Sequence, residues 1–103
     1  MSKASMIAQM LKEGKTIERY KEAGNSMLPI IKSRQPVTLE PVTEDTVLEE
    51  GTIVFCKVKS NYYTHKINAI KENRYQISNN KGFVNGWITR NNIFGKVIKI
   101  WDK

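Results

Sequence analysis

Apolar positions at the start of the chain recur at helical spacing. Met6, Ile7, Met10 and Leu11 fall at i, i+1, i+4 and i+5, and Ile17 and Tyr20 continue the face. The spacing predicts a helical segment over residues 3–22, with Ser2 or Ser5 placed to cap its start. Gly14 costs about 1 kcal/mol in a helix interior, so it marks where the segment would break into two short helices. From residue 36 the period shortens. Val37-Thr38-Leu39-Glu40 alternates, and Thr52 to Lys59 (TIVFCKVK) reads as a strand after the turn signal Glu50-Gly51. Tyr62 to Ile70 follows through Ser60-Asn61, and Arg74 to Ser78 follows a turn at Glu72-Asn73. Asn85-Gly86 reads as a tight turn between Phe83-Val84 and Trp87-Ile88, and Ile93 to Trp101 closes the chain as a strand.

Short strands at regular spacing predict a mostly β protein, a small antiparallel β fold with an N-terminal helical segment. The expected organisation is one domain over 1–103: a helical segment at 1–22 and a β domain at 23–103. No repeat or low-complexity tract interrupts it.

Composition adds three constraints. Cys56 is the single cysteine, so no intrachain disulfide can form, and its apolar run Ile53-Val54-Phe55-Cys56 reads as buried core. No apolar run reaches the length of a membrane span, and the first ten residues do not read as a secretory signal. A cytoplasmic location is therefore expected. The net charge of +7 is uneven. Residues 1–51 carry seven Lys/Arg against eight Asp/Glu, and residues 52–103 carry ten against two, Glu72 and Asp102. A basic half can face nucleic acid, with Tyr62, Tyr63, Tyr75 and Trp87 available for stacking, or simply form solvated strand faces.

Two segments carry chemistry. Ala23-Gly24-Asn25-Ser26-Met27-Leu28-Pro29 joins the helical start to the first strand, and a serine on such a loop can expose its hydroxyl. Its own backbone N–H, or a neighbour's, can face a developing oxyanion. The second segment is Tyr63-Thr64-His65-Lys66-Ile67, which holds the sole histidine. On a strand, Tyr63, His65 and Ile67 share the more apolar face, and Tyr62, Thr64, Lys66 and Asn68 share the other. An imidazole supplies the base that a serine nucleophile needs, but a half-buried histidine can equally serve as a satisfied core residue. No cofactor- or metal-binding pattern is present, and neither is expected.

The stretch Gly24 to Ile31 (GNSMLPII) resembles the nucleophile box of the signal peptidase and SOS-repressor peptidase clan, a Gly-x-Ser-Met-x-Pro motif. His65-Lys66-Ile67 is similar to the His-Arg-Ile/Val motif of archaeal and endoplasmic-reticulum signal peptidases, with Lys66 in place of arginine. Gly86 to Val97 is similar to the closing segment of the clan, with its Ile-x-Gly-Lys-Val pattern. The resemblance covers residues 24 to 100. It implies a serine peptidase with Ser26 as nucleophile and His65 as base, cutting an extended polypeptide beside small side chains. It also implies an oxyanion or substrate groove near Asn25, Met27, Leu28 and Ile30. Three features depart from the clan. No acid follows the histidine at the corresponding place, so Asn79, Asn80 or Asn85 is the candidate to orient the ring. Ser33-Arg34-Gln35-Pro36 stands where Gly-Asp is usual, and no membrane anchor is evident. Lys66, Lys57 and Lys59 are rival bases without motif support. Two further functions stay open: a peptidase-fold regulator or inhibitor that binds without cutting, suited to a phage or mobile element, and a nucleic-acid-binding basic β domain.

Overall fold

In the computed structural model, which describes residues 2–102, the chain begins with one helix, α1 (Lys3–Lys12). Ser2 caps it: its side chain accepts from the Ser5 backbone N–H at 3.1 Å. Glu13 is its C-cap, and Gly14 just beyond has a φ of +89°, left-handed backbone that a side chain would resist. The helical expectation to residue 22 is therefore corrected. Ile17–Tyr20 is a strand, β1, with Ile17 and Tyr20 inward and Glu18 and Arg19 outward. Pairing with a neighbouring strand outweighs the local helical spacing of Ile17 and Tyr20, and the register shift between them, with Arg19 at a φ of +57°, lets both side chains reach one core.

Six more strands follow: β2 (Val37–Pro41), β3 (Ile53–Val58), β4 (Asn61–Lys71), β5 (Arg74–Ser78), β6 (Val84–Thr89) and β7 (Ile93–Ile100). They form one antiparallel sheet in the order β1-β2-β7-β3-β4-β5-β6. The mostly β fold with an N-terminal helix is thus as the pattern predicts. The β3–β4 turn falls at Lys59-Ser60 and the β4–β5 turn at Glu72-Asn73, both residues of each pair at positive φ, as tight hairpins require.

Each side of the sheet has its own core. Leu11 and Ala8 of α1 pack with Ile17, Tyr20, Val37, Leu39, Phe55 and Phe94 on one side. Val54, Cys56 and Val58 of β3 pack with Ile67, Tyr75, Ile77, Ile88 and Ile93 on the other. Alternation along β3 sends Phe55 to the first cluster and its neighbours to the second, which is why this strand reads as a continuous apolar run. Cys56 is wholly buried and unpaired, and burial, with the charge of Glu22, pushes its thiol pKa far up. It is a core residue.

The second correction concerns Asn85-Gly86. These residues lie inside β6. The turn is earlier, at residues 79–82, where the Asn79 side chain accepts from the N–H groups of Lys81 and Phe83 at 2.9 Å each. In the β5–β6 register Ile77 faces Gly86 and Ser78 faces Val84, so Asn85 is the extra residue of a bulge. Gly86 suits this place for two reasons. Its φ is +149°, and a Cβ there would sit 3.1 Å from Val58 Cγ1. An Asn-Gly pair serves a bulge as well as a turn, and only strand pairing separates the two.

Candidate functional site

Ser26 lies on the loop between β1 and β2. The loop is held at several points. Gly24 N–H donates to Ser33 Oγ at 3.0 Å, and Arg34 N–H donates to the Glu22 carbonyl at 2.8 Å. Turn bonds run from Leu28 N–H to the Asn25 carbonyl and from Ile30 and Ile31 N–H to the Met27 carbonyl. Met27 is buried, anchoring the loop by its side chain. From across the molecule, Asn80 N–H donates to the Ser26 carbonyl at 2.9 Å, and Asn80 Nδ2 donates to the Leu28 carbonyl at 2.8 Å.

This loop brings Ser26 Oγ to 3.0 Å from His65 Nε2 on β4. His65 Nδ1 in turn lies 2.8 Å from Asn85 Oδ1, the bulge residue of β6. An amide oxygen can only accept, so Nδ1 carries the proton and Nε2 presents its lone pair to the serine hydroxyl. The Tyr63 ring stacks on the imidazole with centroids 4.8 Å apart. His65 is 5% exposed. Burial lowers its pKa below the ordinary 6.5, while the Asn85 hydrogen bond and then the charge of Glu22 oppose that fall. The ring is therefore neutral near pH 7, the form a general base needs.

Beside Ser26 is a cavity of about 30 Å³, lined in part by Glu22, Ala23, Gly24, Met27 and Thr64. It has room for about one water or a small side chain. Among the described residues, the backbone N–H groups of Ser26 and Met27 have no acceptor. Asn25, Leu28 and Ile30 are exposed on the outer side of the loop, Leu28 at 37% and Ile30 at 45%.

Of the three asparagines expected to orient the ring, Asn85 alone does so. Asn79 holds a turn and Asn80 holds the serine loop. Neither bonds the imidazole, since each side chain satisfies backbone groups. Lys57 lies over the Tyr62 ring, and neither it nor Lys59 nor Lys66 lines the serine cavity. Lys66 shares the opposite strand face from His65 by alternation. Three of the four aromatics offered for stacking are engaged within the protein. Tyr62 stacks on Phe55, Tyr63 stacks on His65 and Tyr75 is buried in the second core. Of the four aromatics, Trp87 alone is exposed, at 43%.

Glu22 and Thr64 are site residues that sequence reading passes over. Glu22 Oε1 accepts from Tyr20 Oη at 3.0 Å and from Thr64 Oγ1 at 3.3 Å. Its Oε2 accepts from Thr64 N–H at 3.3 Å. Glu22 falls within the span that periodicity assigns to a helix, and no motif spacing marks it. No family model matches the chain, and no curated protein matches it. Among the described residues no helix is long and apolar enough to cross a membrane.

Proposed function

We propose that the chain is a serine peptidase of the signal-peptidase type, attacking an extended polypeptide with Ser26 and using His65 as general base. The observation that carries the reading is the connected chain Ser26 Oγ, His65 Nε2, His65 Nδ1, Asn85 Oδ1, with contacts of 3.0 and 2.8 Å. A base within hydrogen-bond reach of its nucleophile, itself oriented by a third group, is the arrangement that activates a serine. The resemblance of residues 24–31 and 65–67 to the clan's motifs supports the same assignment of roles.

The chemistry follows from these atoms. Nε2 takes the Ser26 proton as Oγ adds to the scissile carbonyl, and the imidazolium later protonates the leaving amine. The unpartnered N–H groups of Ser26 and Met27 are the donors available to the developing oxyanion. The small cavity beside Ser26 suits a small side chain next to the cut, and the exposed Leu28 and Ile30 offer an apolar edge to an extended substrate.

A fluorophosphonate probe tests this reading. Labelling at Ser26 that is lost in both Ser26→Ala and His65→Ala supports it. Labelling indifferent to His65→Ala, or no labelling of the wild-type chain, would overturn it. The second of those outcomes would favour a regulator or inhibitor that binds a polypeptide in the groove without cutting it.

A second reading, docking of an anionic partner such as nucleic acid, draws on one observation. An open cleft of about 390 Å³ is lined by Lys57, Lys59, Arg74, the exposed Trp87 and four uncharged residues, with no acidic side chain.

A further inference from the structure

A serine-histidine pair that lacks an aspartate has no carboxylate on Nδ1 to stabilise the imidazolium. Asn85 orients the ring but carries no charge. The sequence holds no acid between His65 and Asn85 other than Glu72, which sits in the β4–β5 turn. The geometry around Thr64, however, brings one carboxylate to the site from upstream of the serine. Glu22 accepts both the N–H and the hydroxyl of Thr64, the residue preceding His65. It also lines the cavity that Ser26 lines. Strand alternation turns Thr64 and His65 to opposite faces of β4, so the carboxylate approaches from the side opposite Asn85's contact.

We propose that Glu22, held in place by Thr64, supplies the negative charge of this site and acts on His65 from across β4 by its field, while Asn85 orients the ring as an uncharged acceptor. The inference rests on the reading of Ser26 and His65 as nucleophile and base. Glu22 touches none of the reacting atoms and is a positioning and electrostatic residue. Among the described residues it forms no ion pair, the sole such pair being Lys15 with Glu13, so its field is not spent on a cation. The groups around His65 are few. Tyr63 stacks on it from β4 and Cys56 pairs with Tyr63 from β3. Asn85 comes from β6, and the serine loop brings Ser26, Glu22 and Lys32, the last on the cavity wall. Glu22 is the one carboxylate whose charge acts on the imidazole, and it favours the protonated ring. That is the state His65 enters when it takes the serine proton, so the same charge lowers the barrier to proton transfer.

His65 is the only histidine, so its imidazole C–H resonances can be followed by NMR without assignment. Titration of wild type, Glu22→Gln and Glu22→Asp tests the charge directly, whether or not the protein cleaves anything. In Glu22→Gln, which keeps an acceptor for Thr64, the His65 midpoint is expected to fall by about half a unit to one unit, with probe labelling slowed about three- to tenfold. Glu22→Asp should keep most of both values. Asn85→Asp in the Glu22→Gln background should restore the midpoint, since a charge placed beside Nδ1 replaces the one removed. Thr64→Val, which removes the hydroxyl donor and leaves the carboxylate, should move the midpoint by no more than a few tenths of a unit. Wild-type labelling with an unmoved midpoint in Glu22→Gln would overturn the proposal and leave the peptidase reading intact. A fall in Thr64→Val as large as in Glu22→Gln would also overturn it, assigning the effect to strand position. Absence of wild-type labelling would overturn the peptidase reading, and with it the catalytic use of the charge, even where the midpoint moves as expected.

Discussion

Ser26 Oγ and His65 Nε2 are 3.0 Å apart, although 39 positions separate the two residues in the chain. The contact depends on a loop bonded to Asn80 and on a strand whose neighbours bury the imidazole without closing it off from the serine.

Removal of either partner should therefore silence the serine. Ser26→Ala abolishes fluorophosphonate labelling, and His65→Ala slows it by on the order of a hundredfold or more, the usual contribution of a general base. Mass spectrometry of the labelled peptide reads both.

Asn85 should matter through the ring it orients. Asn85→Ala leaves the buried Nδ1–H without an acceptor, which costs about 1–3 kcal/mol where water cannot replace the bond. Labelling is expected to fall about tenfold or more, with the chain still folded by circular dichroism. Asn85→Asp should act in the opposite direction, raising the His65 midpoint and the labelling rate, because it makes the acceptor of the Nδ1–H a full negative charge.

The pH dependence follows from burial of His65. Its folded pKa lies below the ordinary 6.5, so the acid limb of the labelling profile should also lie below 6.5. Stability carries the same sign. Between the folded and the unfolded pKa the unfolded chain holds the extra proton, so acid favours unfolding. The contribution is complete above the unfolded value and is lost as pH falls through the folded one. Urea melts should show wild type losing stability over that window, and His65→Gln should flatten the dependence.

Asn80 and Gly86 should affect the site without touching the base. Asn80→Ala removes the side-chain bond to the Leu28 carbonyl and loosens the serine loop, whose backbone bonds remain. A loss of about 0.5–1.5 kcal/mol and several-fold slower labelling are expected, with the His65 midpoint unchanged. Gly86→Ala forces a Cβ against Val58 at positive φ and should destabilise the chain by about 1–2 kcal/mol while displacing Asn85. Thermal melts and labelling rates separate the two effects.

The basic cleft gives its own expectation. If Lys57, Lys59 and Arg74 hold phosphates, binding of single-stranded nucleic acid falls steeply with salt, and Trp87→Ala weakens it by about 1–3 kcal/mol. Salt-insensitive or absent binding in a filter or fluorescence assay would discard that reading.

Much of the architecture was legible in the sequence because it depends on neighbours along the chain. Alternation announced β2, and strand-like runs between turn signals announced β3, β4, β5 and β7. Gly14 marked a break in the helical segment, though not that a strand follows it, and the strand parity of Tyr63 to Ile67 put His65 and Thr64 on opposite faces. The Gly24–Ile31 box and the lone histidine named the two residues that meet. What the sequence could not decide were matters of long-range pairing. Ile17–Tyr20 carries helical spacing, and only pairing with β2, with its register shift between the two residues, made it a strand. Asn85-Gly86 has the composition of a turn, and only the β5–β6 register made it a bulge aimed at His65. Three asparagines were equal candidates until backbone groups claimed Asn79 and Asn80. Glu22 had no signal at all, because its role depends on Thr64 being delivered to it from a strand 42 positions away. Spacing along a chain records periodicity and turn chemistry. Which polar group meets which across a sheet is set by register, twist and bulges, and those exist only once the strands have paired.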